Sequence, residues 1–447
     1  MPSNNDVKRD VPAIAPLAPP RDIHQRIQDR IQVHQARENR RHMRLVWLLV
    51  GPGLLAMLGE NDAPSMLSYA GTGSQFGLKF FAPFILLTFV LAVITQEMTV
   101  RLGARSQSGL AELIYRRFGR SWGHLAMADL LLTNFLTLIT EFVGIVAGAS
   151  YFNIPPAIAV GGGICLVMAA PLSQRYFAWE RTVLLIAAFN LVFVPIALMT
   201  HPSWPALNHA FVSPHPAGGW NKPMILLALS DIGATITPWM LYFQQATIRD
   251  KGLMEPDIRH GRLDTVLGAF LAALAAIACL VATSVLFTHH MNTSQFNGAQ
   301  FAQALTPYVG HFGGSLFALG ILEAGLVATA TISTSSAYAW SESFRQAASL
   351  NRRWHEASGF YAILAGMALA AGLVVLTPGF PLEMIVIFVN IIAVLTMPPI
   401  MLFLLILVND REIMGPYRNT WWLNVLGITV GSFISLAGVI YAVAVVL

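Results

Sequence analysis

The chain has 447 residues, of which 55% are hydrophobic and only 11% are charged. This composition excludes an ordinary soluble domain and is typical of a protein with many membrane-spanning segments. The net charge of +4 does not indicate nucleic-acid binding, because the basic residues are spread between apolar stretches. Cys165 and Cys279 both stand in apolar stretches, so we interpret them as buried hydrophobic residues rather than as a disulfide or a metal site.

Apolar stretches of spanning length recur along the chain, and eleven can be marked. They are 44–74, 78–100, 122–148, 154–173, 180–200, 222–247, 263–288, 312–340, 358–377, 381–408 and 422–447. Residues 44–447 are therefore predicted to form a single transmembrane domain. Residues 1–43 contain no span and no signal peptide, and we expect a basic, partly disordered cytoplasmic tail. The alternative for residues 21–43 is a basic helix on anionic lipid.

The distribution of basic residues predicts the orientation in the membrane. If the N-terminus is cytoplasmic, 25 of the 27 Lys and Arg residues lie on the inner side, and only Lys79 and Lys222 lie outside. Such an asymmetry is the usual signature of cytoplasmic loops. We therefore expect a multi-pass plasma-membrane (inner-membrane) protein with a cytoplasmic N-terminus and an extracytoplasmic C-terminus.

Two of the spans are interrupted at their centres. The first breaks at Gly59-Glu60-Asn61-Asp62-Ala63-Pro64, and the sixth carries Asp231 and breaks at Thr237-Pro238. Inserting a carboxylate at this depth in the membrane costs about 2.5–3.5 kcal/mol on insertion scales, so such a residue rarely occurs without a functional role. Irregular backbone in the membrane persists only where protein or a water-filled cavity satisfies its polar groups. The pattern predicts the central binding site of a transporter.

The positions of the breaks also indicate an internal repeat. Spans one to five, at about 44–200, and spans six to ten, at about 221–408, each open with a broken helix. Because five is odd, the second unit enters the membrane from the opposite side, and the repeat is inverted. Residues 422–447 form an extra helix. The predicted fold is all-α, with eleven transmembrane helices in an inverted 5+5 repeat and helices one and six broken.

Oxygen atoms at the two breaks could ligate a cation. Half-helix C-terminal ends and unwound carbonyls present negative charge. Asp62 lies in the first break, Ser65 follows it, the Ala234 carbonyl lies about one turn before Thr237, and Pro238 frees carbonyls nearby. For Asp62 the alternative role is a helix cap, and for Ser65 and Thr237 it is a hydroxyl bonded to its own helix.

At these residues the chain resembles the Nramp family of divalent-metal transporters over nearly all of 44–447, which implies a leucine-transporter-like fold. The family's Asp-Pro-Gly-Asn motif stands here as Asp62-Ala63-Pro64-Ser65, and its Gly-Ala-Thr-Val-Met-Pro-His motif as Gly233-Ala234-Thr235-Ile236-Thr237-Pro238-Trp239. The ligand methionine has thus become Thr237, and the histidine has become Trp239. The resemblance also places Asn390 where the family carries a glutamine near the site, and Glu141 at a third-helix glutamate, while a proton-pathway aspartate has become Leu138.

These departures change the expected substrate. A thioether favours transition ions, whereas a hydroxyl is a hard oxygen donor that suits Mg²⁺. The chain is therefore most similar to the Nramp-related magnesium-transporter branch, which implies import of Mg²⁺ and Mn²⁺ without proton coupling. The alternatives are a proton-coupled Mn²⁺/Fe²⁺ transporter of the Nramp type and, lower, an amino-acid carrier of the same fold.

Further acidic residues have two interpretations each. Glu60 is an acceptor for water on the ion or a charge lining the outer vestibule. Asp231 is an outer, electrostatic staging site, or it forms a buried salt bridge or a helix cap. Glu141 is a proton acceptor or a structural acid that holds helix three to the first break. Asp129, Asp264 and Glu323 are candidates for helix contacts or gates.

No catalytic constellation appears in the sequence, so we expect a transporter rather than an enzyme. We expect no cofactor, since Mg²⁺ or Mn²⁺ is substrate. The expected partners are the divalent ion and the lipid bilayer, with no nucleic acid and no obligate protein partner.

Overall fold

The computed structural model describes residues 31–33, 35–36, 38–39, 41–169, 172, 175–379 and 382–446. In this part of the chain every regular element is helical. The first half comprises α1 (His42–Leu49), α2 (Pro52–Gly59), α3 (Ala63–Phe76), α4 (Phe81–Ser106), α5 (Leu110–Phe118), α6 (Arg120–Ser150), α7 (Pro156–Met168), α8 (Tyr176–Ala187) and α9 (Phe193–Met199), with a 3₁₀ segment (Ala188–Val192) between the last two. The prediction for residues 1–30 lies outside the described residues.

The second half continues with α10 (Trp204–Val212), α11 (Lys222–Gly233), α12 (Pro238–Lys251), α13 (Ile258–Thr288), α14 (Gly298–Ser343), α15 (Ser358–Val375), α16 (Leu382–Asn409), α17 (Arg411–Met414) and α18 (Trp421–Val446). Short 3₁₀ segments (Glu255–Asp257 and Gly415–Tyr417) precede α13 and follow α17.

Nine helical runs in the described residues are long and apolar enough to cross a membrane. They correspond to nine of the predicted spans. The other two predicted spans are built from shorter helices, namely α2 with 8 residues, α3 with 14 and α7 with 13. The membrane-protein class is thus supported by length and composition, and the count of eleven spans stays a prediction.

Both predicted breaks are present in the structure. The backbone leaves helical geometry just before Pro64 and just before Pro238, because proline prevents a continuous helix. We call residues 60–62, between α2 and α3, the first break, and residues 234–237, between α11 and α12, the second break. Asp62 is extended at φ −71° and ψ 172°, and Thr237 is extended at φ −118° and ψ 154°. Pro64 and Pro238 each stand in the first turn of the helix that follows. Proline is tolerated there because the first-turn amides have no intrahelical acceptor.

The core of the bundle brings the broken helices against three long ones. Helix α13 packs along both α2 and α3, while α14 packs along α6 and also contacts α3 and α12. Asp264 on α13 accepts hydrogen bonds from the Gly53 amide (2.7 Å) and the Leu54 amide (3.2 Å). These amides are otherwise unsatisfied at the start of α2, so Asp264 fixes this half-helix to α13.

Helix α14 consists of two helical segments that meet at Gly310, where φ is 70° and ψ is 172°. The segment after Gly310 agrees with the predicted span at 312–340, whereas the segment that starts at Gly298 was not predicted. Asn297 and Gln300 exchange side-chain bonds with each other's amides in a capping box. The cap starts the helix in a polar segment that the hydropathy pattern does not mark.

Candidate functional site

The two breaks meet inside the bundle, and hydroxyl groups of α3 bond the backbone of the second break. Ser65 Oγ donates to the Ala234 carbonyl at 3.0 Å, and Tyr69 Oη lies 3.4 Å from the same oxygen. Tyr69 Oη also lies 3.0 Å from Thr235 Oγ1. Ala234 is the C-cap residue of α11, so its carbonyl lies at the helix end where the dipole is negative. Residues separated by 169 positions therefore share one polar centre.

Asp62 is buried, with 3% exposure, and its carboxylate is held in a fixed direction. Oδ1 accepts a hydrogen bond from the Ser65 amide at 2.8 Å, which is the N-cap arrangement for α3. The Asp62 carboxyl group also faces that of Glu141. The capping role is thus present in the structure, and it orients the carboxylate toward the meeting point of the breaks.

The Thr237 and Glu60 side chains face each other, and both carry polar atoms with no other protein partner. Thr237 is the N-cap residue of α12 but makes no side-chain cap bond, and its buried Oγ1 has no hydrogen-bond partner. Both carboxylate oxygens of Glu60 are likewise unpartnered, and the side chain is 0% exposed. Glu60 lies beside Thr237 and Asp62. Unsatisfied buried oxygens are costly, so their concentration at one point indicates that a ligand or water completes the site.

Glu141 on α6 also contacts the first break. Its Oε2 accepts a hydrogen bond from the Ala63 amide at 3.1 Å, while Oε1 is buried without a partner. One turn further on, a Cβ at Gly144 would overlap the Ala63 side chain, so glycine allows α6 to approach α3 this closely. Glu141 therefore fixes α6, the third predicted span, to the first break, and one of its carboxylate oxygens has no hydrogen-bond partner.

Three buried carboxyl groups thus cluster around the first break, at Glu60, Asp62 and Glu141. The ion pairs formed among the described residues include none of them. Buried charge without a basic partner requires protons or a cation for neutralisation. No group of three or more His, Cys, Asp or Glu side chains in the described residues has metal-holding geometry. A cation here would also need hydroxyl and carbonyl oxygens.

Asp231 lies in α11, about one helical turn before Ala234, and its side chain faces α3. Its carboxylate is 0% exposed and accepts hydrogen bonds from Ser68 Oγ (2.6 Å) and Thr72 Oγ1 (3.1 Å). Thr235 Oγ1 donates to the Asp231 carbonyl at 2.8 Å. None of the ion pairs among the described residues includes Asp231, so these hydrogen bonds are not the buried salt bridge that the sequence analysis gave as one alternative. The outer staging role stays a prediction.

Asn390 lies in α16, which packs against α11, but its side chain lies outside the described residues. Two contributors were missed by the sequence analysis. Tyr69 stands one turn after Ser65 on the same helix face, and this spacing was an available signal. Asn61 lies in the break itself, yet its contacts to distant helices have no local signature. Trp239, at the family's histidine position, is 1% exposed and packs edge-on to Phe243 with 5.8 Å between ring centroids.

Solved structures with this arrangement of helices are known. A manganese transporter from Eremococcus coleocola superposes with a TM-score of 0.69 at 20% identity, covering 89% of this chain and 87% of the other. MhsT in complex with L-phenylalanine superposes with a TM-score of 0.55 at 16% identity, covering 88% and 98% of the two chains. Similarity at these identities concerns the fold, and it confirms the predicted leucine-transporter-like class.

Sequence relatives cover the same region. A divalent metal cation transporter MntH from Aeromonas hydrophila is 23% identical over 382 residues, which span 83% of this chain and 89% of the relative. The family model described as natural resistance-associated macrophage protein-like matches residues 53–444, from the start of α2 almost to the end of α18. Because this match includes both breaks and every long helix between them, the chain belongs to the Nramp family.

Proposed function

We propose that this protein carries divalent cations across the plasma membrane by alternating access around the two breaks, with Mg²⁺ and also Mn²⁺ as imported substrates. The relatives are named divalent metal cation transporter and manganese transporter, and these names support the ion class. The proposed orientation, with a cytoplasmic N-terminus, is supported by the placement of the basic residues.

The observation that carries the proposal is the donor set at the breaks. Asp62, Ser65, Ala234 and Thr237 offer only carboxylate, hydroxyl and carbonyl oxygens, and the Thr237 hydroxyl has no other partner. Hard oxygen donors suit Mg²⁺, which keeps several of its waters and accepts one or two carboxylates. The unpartnered Glu60 oxygens are available to accept hydrogen bonds from such ion-bound water.

Charge balance supports a divalent substrate. The carboxyl groups at Glu60, Asp62 and Glu141 lie together without a basic partner among the described residues. One divalent ion offsets two negative charges, and the third carboxyl group is neutral when protonated, so ion binding is favourable despite the loss of hydration. When the ion leaves, the Ser65 and Tyr69 hydroxyls remain on the Ala234 carbonyl and limit the number of unpaired groups.

The membrane potential can supply the driving force without protons. A divalent cation gains about 4.6 kcal/mol per 100 mV of inside-negative potential, which is twice the value for a single charge. This sustains accumulation on the order of a thousandfold. Buried Trp239 and Leu138 replace the residues that the resemblance assigns to proton movement, and neither can carry a proton. The proposed transport is therefore uncoupled from protons.

A second candidate within the family is a proton-coupled Mn²⁺/Fe²⁺ transporter. The observation that favours it is Glu141, whose carboxyl group faces Asp62 and keeps an unpartnered oxygen. A proton moving between these carboxyl groups as the ion binds would couple the two fluxes. The third candidate, an amino-acid carrier, is disfavoured because Glu60 and Asp62 would repel a substrate carboxylate at the first break.

Flux into proteoliposomes separates these candidates. Purified protein is reconstituted with a Mg²⁺-sensitive or Mn²⁺-quenched dye and a pH dye inside, and a potassium diffusion potential is imposed. We expect potential-driven entry of Mg²⁺ and Mn²⁺ with no acidification of the lumen above protein-free vesicles. Entry of Mn²⁺ with acidification and without Mg²⁺ entry would establish the second candidate instead. Entry of neither ion, with uptake of an amino acid, would refute both.

A further inference from the structure

A second group of buried polar side chains contacts the first break through Asn61 rather than through Asp62. Asn61 Nδ2 donates to Asn190 Oδ1 and to the Ala272 carbonyl, both at 2.8 Å. Asn190 lies in the 3₁₀ segment of span five and also contacts the Glu323 carboxyl group on α14. These contacts therefore connect the first break to the 3₁₀ segment, α13 and α14, which belong to predicted spans five, seven and eight.

This group contains two oxygen atoms without a partner. Glu323 Oε2 and Asn61 Oδ1 are both buried and make no hydrogen bond, and they flank the same Asn190 side chain. Glu323 is 5% exposed and Asn61 is 0% exposed. A carboxylate at this depth is expensive unless a partner neutralises it. Among the described residues, no lysine, arginine or histidine forms an ion pair with Glu323.

The group is separate from the proposed divalent site. The Asp62 and Ser65 side chains face Glu141 and Ala234, whereas the Asn61 amide points to span five and α13. It also has different chemistry, because one carboxylate and amide oxygens balance a single positive charge. Unwound segments and half-helix ends in transporters are general binding places for Na⁺ or a proton.

We propose that Glu323, Asn190 and Asn61 bind a monovalent cation, either Na⁺ or a proton. Occupancy of this site by the cation determines the strength of the hydrogen bonds between the first break and spans five and seven. Asn190 Nδ2 also donates to the Asn61 carbonyl at 3.4 Å. With the cation present, Glu323 is neutral overall and Asn190 Nδ2 stays on this carbonyl. Without it, the Glu323 charge competes for the same Nδ2 donor. The site therefore links a monovalent ion to the shape of the break that carries Asp62.

Titratable groups lie on several elements that pack against α14. The first break contributes Glu60 and Asp62, and α6 contributes Glu141. Helix α7 contributes Cys165, α8 contributes Tyr176, Glu180 and Arg181, and α15 contributes Tyr361. The 3₁₀ segment and α9, from residue 188 to 199, contain no titratable side chain, and α13 from 265 to 279 contains Cys279 alone. On α3 the nearest titratable group is Tyr69, which is bonded to the second break. A pH response that disappears with the Glu323 charge therefore belongs to Glu323.

The test uses thermal unfolding of the full-length protein in detergent. Choline chloride is replaced by NaCl at constant ionic strength, and separately the pH is lowered at low Na⁺. We expect a rise in the unfolding midpoint of at least about 2 °C in one of these two arms, which identifies the ion. Glu323→Gln keeps the bond to Asn190 but removes the charge, so this response should be lost. Glu112→Gln, which alters a half-exposed pair with Arg116, should retain it.

Isothermal titration of Mg²⁺ into the same samples separates this proposal from the proposed function. Glu323→Gln should keep Mg²⁺ binding, and Asp62→Asn should lose it while keeping the monovalent response. If Asp62→Asn binds Mg²⁺ normally, the proposed function fails and this inference stands. If the wild type responds to neither Na⁺ nor pH, or if Glu323→Gln responds as the wild type does, this inference is overturned. Should Glu323→Gln not purify, Asn190→Ala must weaken the response, and an unchanged response overturns the proposal.

Discussion

Lys251 Nζ lies 2.7 Å from Glu180 Oε2, and the two side chains are only 1% and 0% exposed. The pair joins the end of α12 to α8. Lys251 also donates to the Val50 carbonyl at 2.8 Å, just before α2. A Cβ at Gly51 would overlap the Glu180 carboxylate, so glycine is required at this contact. One ion pair thus ties both half-helices on this side of the breaks to span five.

Removing one partner of this pair should destabilise the protein strongly. Lys251→Met removes the 2.7 Å partner of the buried Glu180 charge and leaves, among the described basic residues, only the Arg181 guanidinium at 3.9 Å, which costs up to about 3–5 kcal/mol. We expect a large fall in the unfolding midpoint in detergent, and a smaller fall in the double variant Lys251→Met/Glu180→Gln, where no lone charge remains. The control is Arg105→Gln, which breaks the pair with Glu255 whose side chains are both 36% exposed. Such a surface pair is worth about 0–1 kcal/mol. Equal losses in Lys251→Met and Arg105→Gln would contradict the buried role.

Asp62 has two tasks that different substitutions separate. In Asp62→Asn the amide oxygen can still accept from the Ser65 amide, so the α3 cap is retained. The negative charge is lost, and we expect divalent-ion affinity to fall at least about tenfold, or about 1.4 kcal/mol. Asp62→Ala should lose affinity equally and also about 0.5–2 kcal/mol of stability through the cap. Titration of Mg²⁺ and a melting curve measure the two effects. Unchanged Mg²⁺ affinity in Asp62→Asn rules out a ligand role.

Thr237 should control which ions are preferred. Its Oγ1 has no partner and lies beside Glu60. Thr237→Met introduces a thioether, which favours softer ions, so we expect the ratio of Cd²⁺ and Mn²⁺ uptake to Mg²⁺ uptake to rise. Thr237→Val is the matched control, because it removes the hydroxyl without adding sulfur. It should lower uptake of all three ions. Competition between the ions in proteoliposomes measures the ratio, and a similar ratio in both variants would refute the softness argument.

Asp231 should act through stability rather than through ion attraction. Its carboxylate accepts from Ser68 and Thr72, which fasten α3 to α11. We expect Asp231→Asn, Ser68→Ala and Thr72→Val each to lose about 1–3 kcal/mol, as for a buried polar group left unpaired. The KM of Mg²⁺ uptake should keep its dependence on ionic strength. If instead Asp231→Asn alone flattens that dependence, the outer staging site predicted from sequence is correct.

The sequence alone predicts most of the fold, because the length of each span and the positions of the prolines can be read locally. The bilayer interior contains no water, so an apolar segment of sufficient length must form a helix, and a proline marks where that helix is interrupted. The two breaks are found at the positions predicted from Pro64 and Pro238. The same reasoning missed the helical segment that precedes Gly310 in α14, since a polar capping box leaves no hydropathic signal.

The tertiary structure decided which polar atoms meet. Ser65 and Ala234 are separated by 169 residues and Asn61 and Asn190 by 129, so no periodicity along the chain encodes these contacts. It also decided that Asp62 caps α3, that Asp231 is bonded to hydroxyls and that the Thr237 hydroxyl is left unpaired. The physical reason is that local pattern fixes whether a segment enters the membrane, whereas the packing of long helices fixes which buried donors and acceptors satisfy one another.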